Sequence, residues 1–531
     1  MVADARAYKQ DKDFEMRVAC DCADQPRVCG AVEPPVSVEQ LWLEGELFRE
    51  RCWQHDSAGS FPSFRRRAFL AARSLAILPG REILELGAGS GAWTVHLAAV
   101  LAGRNQITGA VFSAALATAA QSRKLSCTRF IHVRDFQQAF PRESLDYIVS
   151  TDIPARCLGP EMLEMAYQCL KPGGRFLFFA QNTSNPFTFL KKVVGHFLGR
   201  YRDLRGEDSF NLKKFTHSVA REGFEGIEVT HFEVVCPRER PVWQTLGLVL
   251  ERAPLVRRFS RVVSVRAFKP ALAGREDVEN ISLATHPQLF GTISVVVPCH
   301  NEEANIARLV ETMLGMYGSY IHEIVIVDDN STDGTAQIAG TMARTEPRVK
   351  LIRRNPPGGV GRALRDGYAA ASGKYILSID CDFVAIASEF EGLFEAVAKG
   401  YDGAIGSRFS SESALVHYPF FKILCNRGYH LMLNLLLGKQ VRDISNNLKL
   451  YRAEILKDLD IEANGFAANA ETGLKPVLLH YRIREVPTSW INRTPDMGRS
   501  SFSLLKVGPE YLGVLLRTTW RYWRGQYRTL S

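Results

Sequence analysis

The sequence predicts an α/β protein built as two parallel-sheet domains, and three observations carry that prediction. A chain of 531 residues exceeds what one hydrophobic core usually organises. In each half, apolar strand-like runs alternate with helical lengths, the rhythm of βαβ units. Between the halves, from about Pro237 to Leu289, that rhythm weakens into a basic, apolar, helix-like piece and then a polar segment, Gly274 to Gln288, without clear periodicity. The expected organisation is a leader with helices over 1–64, a first domain over 65–270, a linker over 271–290, a second domain over 291–508 and a basic amphipathic tail over 509–531.

In the first half a strand, Glu82 to Leu86, runs into a glycine-rich turn ahead of a helix, Ala92 to Leu101. Further strands are expected at Ile107 to Gly109, Phe130 to Val133, Tyr147 to Ser150 and Arg175 to Ala180. Gly87, Gly89 and Gly91 let the backbone turn tightly and approach a ligand at the helix N-terminus. Glu85, just ahead of them, completes an E-x-G-x-G-x-G spacing. His132-Val133-Arg134-Asp135, Ser144 to Ser150 and Leu170-Lys171-Pro172-Gly173-Gly174-Arg175 follow in order.

Over residues 65–235 these motifs resemble the class I S-adenosylmethionine-dependent methyltransferases. The resemblance implies a Rossmann-like sheet, with S-adenosylmethionine held by Glu85, Gly87, Gly89 and Gly91 and with Asp135 beside the adenine. The second strand departs from the family. It ends at Val111, where many members carry an acid that grips both ribose hydroxyls, and a neutral side chain accepts neither bond. A non-catalytic cofactor-binding or scaffold module is the alternative reading of this half. Cys20, Cys22 and Cys29 with Cys52 or His55 have zinc-ligand chemistry, but C-x-C-x6-C is not a standard knuckle, and loose thiols are the expectation.

In the second half Ile293 to Val297, Glu323 to Val327, Val349 to Ile352 and Tyr375 to Ile379 are strand candidates separated by helical lengths. The first ends in Pro298-Cys299-His300-Asn301-Glu302, the second in Asp328-Asp329, another in Asp380-Cys381-Asp382. Ligands of open parallel sheets gather at such carboxyl ends. Carboxylates spaced i and i+2 suit a hard cation if the turn brings them together.

Together with Gly359 to Gly367, Gly406-Ser407-Arg408-Phe409, Arg442 to Asn447 and Arg484-Glu485-Val486-Pro487, these acids resemble the family 2 glycosyltransferases of GT-A fold, in particular the polyprenyl-phosphate sugar synthases, over residues 291–505. The resemblance implies an inverting transfer from a nucleotide-sugar donor to a polyprenyl phosphate or glycan. Asp380 and Asp382 would hold Mg2+ or Mn2+. Pro298, Asn301, Glu302, Asp328, Asp329, Gly361, Arg365 and Arg408 would contact the donor, and Arg493, Arg499 and Ser500 the acceptor. Glu471 is a candidate general base for a hydroxyl acceptor, with a surface helix carboxylate as its ordinary alternative. The Arg493 to Ser500 segment departs from the shorter family pattern and leaves the acceptor open.

Subtracting 57 acidic from 66 basic residues gives a net charge of +9, which suits anionic partners. No nucleic-acid-binding motif is present, so nucleic acid is not an expected partner. Scattered cysteines and a polar start point to the cytoplasm, with peripheral contact at its membrane face. That contact is expected from the tail, Glu510 to Arg528. Arg517, Arg521, Arg524 and Arg528 fall within an arc of about 60° at roughly 100° per residue. Leu512, Leu515, Leu516, Trp520, Trp523 and Tyr527 are expected on the opposite side. Packing of that face on its own domain is the competing expectation.

Overall fold

A computed structural model describes residues 38–55, 60–134, 139–152, 157, 159–182, 185, 211–233, 250–251, 253, 256–270, 282–410, 412–416, 418–491 and 504–527. Asp135, Arg493, Arg499, Ser500, Arg528 and the cysteines at 20, 22 and 29 lie outside these residues.

The first domain opens with α1 (Val38–His55) and α2 (Ser60–Ser74), followed by β1 (Glu82–Leu86), α3 (Thr94–Leu101), β2 (Gln106–Val111), α4 (Ala114–Ser122), β3 (Thr128–His132) and β4 (Leu145–Thr151). Then come α5 (Pro160–Cys169), β5 (Leu170–Gln181), α6 (Leu212–Arg221), β6 (Glu225–Phe232) and β7 (Val262–Phe268). The strands form one sheet in the order β3-β2-β1-β4-β5-β7-β6. Each expected strand is present, and most are longer than their apolar runs.

Strand periodicity divides the core into two layers. Leu84, Leu86, Ile148, Phe176 and Phe178 pack on one face with Trp42 of α1. Their neighbours Ile83, Tyr147, Val149, Leu177 and Phe179 pack on the other with α2 and α3. Strand β7 corrects the helix-like reading of this stretch. It runs antiparallel to both β5 and β6, with Val263, Val265 and Ala267 in one layer and Val262 in the other. Its run Val262 to Val265 is strand-like by composition, but it lies among Arg257, Arg258, Arg261 and Arg266, which give the stretch its basic character.

The second domain comprises β8 (Ile293–Cys299), α7 (Ile306–Tyr317), β9 (Ile321–Asp328), α8 (Thr335–Thr345), β10 (Val349–Arg353), α9 (Val360–Ala370), β11 (Tyr375–Ser378), a 3-10 helix (Cys381–Phe390) and α10 (Glu391–Ala398). It continues with β12 (Gly403–Ser407), β13 (Leu415–Val416), α11 (Phe420–Leu437), β14 (Lys449–Arg452), α12 (Ala453–Lys457), α13 (Ala468–Leu478), β15 (Ile483–Pro487), β16 (Trp490–Ile491) and α14 (Leu504–Trp523).

Its main sheet is ordered β10-β9-β8-β11-β14-β12-β15, and β13 pairs with β16 separately. Val295, Val297 and Ile326 face one layer while Val296, Val325 and Val327 face the other. Strand β14 runs antiparallel between β11 and β12, so this sheet too is mixed rather than parallel. Leu283 and Leu289 are buried in this second core, so the chain joins it within the stretch expected to be linker.

Candidate functional sites at two sheet edges

At the carboxyl edge of the second sheet, β8 and β11 lie side by side in parallel and deliver their terminal residues together. Asp380 is the extended residue that opens the 3-10 helix, and Asp382 lies in that helix's first turn. Asn447 Nδ2 donates to Asp380 Oδ1 at 2.8 Å. Behind it Ser378 Oγ donates to Asn447 Oδ1 at 2.8 Å, and Tyr368 OH bonds Ser378 Oγ at 3.0 Å. The chain of buried side chains fixes the amide of Asn447, and the amide orients the carboxylate. Near them Lys449 is buried, and burial pushes its ammonium down to about 7 although Asp380 and Asp443 oppose the shift. Its Nζ donates to Asn469 O at 2.7 Å and Thr472 Oγ1 at 2.9 Å. Neither Asn447 nor Lys449 has a role in the sequence reading, although Asn447 lies in a quoted family motif.

Pro298 pairs with Val327 in register and Cys299 with Asp328, so the polar ends of β8 and β9 face one edge. Asn301, at φ +57°, accepts from Thr332 N at 2.8 Å. The amide of Glu302 donates to Thr335 Oγ1 at 2.7 Å. Asp328 Oδ1 accepts from Ser331 N at 3.2 Å. Asp329 is ion-paired to Arg354 and accepts from Gly359 N at 2.6 Å. These bonds tie the loops after β8 and β9 to each other.

Gly361, Arg365 and Glu471 converge on one loop, 461–465. Gly361 N donates to Asn464 O at 2.9 Å, and a Cβ at Gly361 would collide with the Ala463 carbonyl oxygen. Arg365 donates to Ile461 O, Ala463 O and Asn464 Oδ1. Glu471 is 1% exposed. Its Oε2 accepts from Glu462 N at 2.7 Å and Ala463 N at 3.0 Å, with Lys475 and Arg517 nearby. The surface-carboxylate alternative for Glu471 is thereby corrected. Apolar spacing on α13 alone could not show which carboxylate turns inward to hold a loop.

Arg408 is buried in a bidentate pair with Asp443, at 2.7 and 2.8 Å. Although burial opposes ionisation, the guanidinium holds the Asp443 carboxyl well below its usual range. Arg427 stands 3.8 Å over the Phe409 ring, and burial lowers it to about 10. His430 Nε2 accepts from Ile444 N at 3.1 Å and its ring also bonds Asn426 O. Burial pushes that imidazole down to about 4.

Among the described residues no three histidine, cysteine or acidic side chains converge. Asp380 and Asp382 nonetheless suit a hard cation such as Mg2+, which commonly takes one or two carboxylates and completes its shell with substrate phosphates and water.

The edge of the first sheet is built differently. Gly87, Gly89 and Gly91 have φ of +67°, +56° and +75°, the left-handed backbone that glycine permits. Glu85 is buried at the end of β1. The donors of this loop point at α1. Glu46 Oε1 accepts from Gly89 N at 2.9 Å, and Oε2 from Phe112 N and Ser113 N at 3.0 and 3.1 Å. Glu50 accepts from Ser90 N at 2.8 Å and Ser90 Oγ at 3.1 Å. Trp42 stacks on Phe112 with ring centroids 5.3 Å apart. The loop has the backbone for S-adenosylmethionine, but in this conformation its donors are taken by α1. The residues as placed do not fit the cofactor. No sequence signal singled out Trp42, Glu46 or Glu50, because a polar leader helix reads as a solvated one.

Two transferase-type sheets, each with its polar residues at the carboxyl edge, are therefore joined in one chain. Residues 83–174 match the family model described as a methyltransferase domain, and residues 294–460 that of glycosyl transferase family 2. The chain carries both domains: a Rossmann-like methyltransferase sheet and a GT-A sheet. It is 30% identical over 198 residues to a dolichol-phosphate mannosyltransferase of Pyrococcus furiosus, covering 37% of this chain and 55% of that protein. It is 27% identical over 224 residues to a polyprenol monophosphomannose synthase of Mycolicibacterium smegmatis, covering 40% of this chain and 82% of the relative. The chain thus spans about half the length of the first of these. Among solved structures, Haemonchus contortus phosphoethanolamine N-methyltransferase 2 in complex with phosphomonomethylethanolamine and S-adenosylhomocysteine is similar at 17% identity. The match covers 38% of this chain and 52% of that one, with a TM-score of 0.28.

Proposed function

We propose that the C-terminal domain is an inverting glycosyltransferase that moves a sugar from a nucleotide-sugar to a polyprenyl phosphate, with Mg2+ or Mn2+ held by Asp380 and Asp382. The observation that carries this reading is the carboxylate pair at the edge of β8 and β11, with Asp380 oriented by Asn447. The matched relatives are named for mannose transfer to dolichol or polyprenol phosphate, which supports the acceptor class.

When bound, the cation would neutralise charge developing on the departing nucleoside diphosphate. Asn301, Glu302, Asp328 and Asp329 lie at the sheet edge that would receive the nucleotide. Gly361 and Arg365 support it through the 461–465 loop. A lipid phosphate is ionised at neutral pH and attacks without a strong base. That chemistry agrees with a Glu471 whose carboxylate is engaged by backbone amides. Arg427, a cation already penalised by burial, would gain from an anionic acceptor.

The acceptor reading includes peripheral contact with a membrane surface. No helix among the described residues is long and apolar enough to cross a membrane. Instead α11 exposes Phe421, Leu431 and Leu435, and α14 exposes Leu516, Trp520 and Trp523. The two helices touch where Trp523 Nε1 donates to Leu436 O, and such aromatic-rich surfaces suit the headgroup boundary. For the N-terminal domain, methyl transfer from S-adenosylmethionine is the corresponding reading.

The test is incubation of the full chain with a panel of nucleotide sugars and polyprenyl phosphate in vesicles, with and without chelator, products being read by mass spectrometry. A glycosylated lipid phosphate formed with inversion and abolished by chelator is expected. No product from any donor, or transfer indifferent to chelator, overturns the corresponding part.

A further inference from the structure

We propose that α1 is an intramolecular occupant of the S-adenosylmethionine site and that cofactor binding requires its withdrawal. The inference rests on reading the N-terminal domain as an S-adenosylmethionine-binding one.

Backbone amides at Gly89, Ser90, Phe112 and Ser113, with the Ser90 hydroxyl, line the carboxyl edge of β1 and β2, where ligands of such sheets bind. All these donors end on two carboxylates of one helix. A carboxylate on a glycine-rich loop is the chemistry that an amino-acid cofactor would itself bring there. Glu46 is 3% exposed and Glu50 8%. Buried carboxylates are costly unless hydrogen-bonded, so their placement marks the loop as an anion-accepting cradle and α1 as what fills it.

Trp42, Glu46 and Glu50 recur at i, i+4 and i+8, and so form one stripe along α1. A purine resting on Phe112 would meet the Trp42 ring, since the two centroids are too close for a third ring to enter between them. From the other side Cys157 Sγ donates to Leu41 O at 3.2 Å, tying the helix to the segment after β4.

The test uses the full chain and isothermal titration with S-adenosylmethionine, comparing wild type, Trp42→Ala and the Glu46→Gln/Glu50→Gln double variant. Both oxygens of Glu46 act as acceptors, so a glutamine turns a donor toward a donor and loosens the helix without changing its shape. At least tenfold tighter binding by the variants is expected. Hydrogen exchange read by mass spectrometry on wild type should become faster across residues 38–50 when the cofactor is added, while the 87–91 loop becomes slower. Equal or weaker binding by the variants overturns the proposal while leaving the cofactor site intact. Absence of binding by every protein removes the cofactor site itself and the proposal with it. Should the double variant fail to fold by circular dichroism, exchange on wild type decides, and unchanged or slower exchange in α1 overturns it.

Discussion

Asp380 and Asp382 share an edge with many other acids, but Asp380 is aimed by a side chain that is itself aimed by two more. If the pair serves a cation, Asp382→Asn should lower sugar transfer at least about a hundredfold while leaving the circular dichroism spectrum unchanged. Asn447→Ala should weaken metal affinity by about 10–100-fold, as loss of a group that orients a ligand does. Metal titration of transfer activity reads both, and wild-type metal dependence in either variant would separate these residues from the metal. His430 offers a residue-scale test of a different kind. Its folded value, about 4, lies below the ordinary 6.5 because the ring is buried. The unfolded chain therefore takes up a proton between those values and the folded chain does not. The associated stability is fully present above pH 6.5 and is lost as pH falls toward 4. At 1.36 kcal/mol per unit this is roughly 3 kcal/mol. Urea unfolding of the C-terminal domain at pH 7 and pH 4.5 should show that loss in wild type and a much smaller one in His430→Gln. Equal losses would place the titration elsewhere.

At the scale of elements, α14 divides its apolar side chains between two tasks. Val514 and Leu515 are buried in the domain core and Tyr527 joins them, while Leu512, Leu516, Trp520 and Trp523 remain exposed. The arginines divide as well. Arg521 is ion-paired with Glu462 and Arg524 stacks on Trp520. The expected choice between a membrane face and a docked face is resolved into a helix that docks on one side and exposes apolar surface on another. Truncating α14 would uncover Val514 and Leu515, so paired Trp520→Ser and Trp523→Ser substitutions are the cleaner probe. They should abolish flotation with anionic liposomes without lowering the melting temperature by more than a few degrees, since both side chains are more than a third exposed. Flotation equal to wild type would assign the surface to something other than lipid.

On the scale of the whole molecule, the two domains are joined by more than their connecting segment. Arg73 of α2 pairs with Glu389 and donates to Pro487 O at 3.2 Å. Ser489 N donates to the same Glu389 at 2.6 Å. Glu389 lies in the 3-10 helix that begins with Cys381 and Asp382, and Ala414 of the second domain is buried in a core layer of the first. Arg73→Ala leaves a buried carboxylate without its cation, a change that typically costs about 3–5 kcal/mol when burial is complete and less at this partly exposed pair. If this contact couples the domains, differential scanning calorimetry should show one transition for wild type and two for the variant, and a thermogram identical to that of wild type would mean that the pair does not couple them. The sequence alone determined the two α/β domains, because buried strands such as Val295 to Val297 and the loop Gly87 to Gly91 are written in contiguous residues. It also placed the acids at strand ends, since the carboxyl edge follows from strand direction. It did not reach β7 or β14, whose partners lie far along the chain and whose short apolar runs are broken or bounded by the charged residues Arg266, Lys449 and Arg452. Nor did it reach Asn447 behind Asp380, Glu471 under its loop, or Glu46 on the glycine turn. Those roles depend on which distant backbone amide or side chain a polar group meets, and only the tertiary packing decides that.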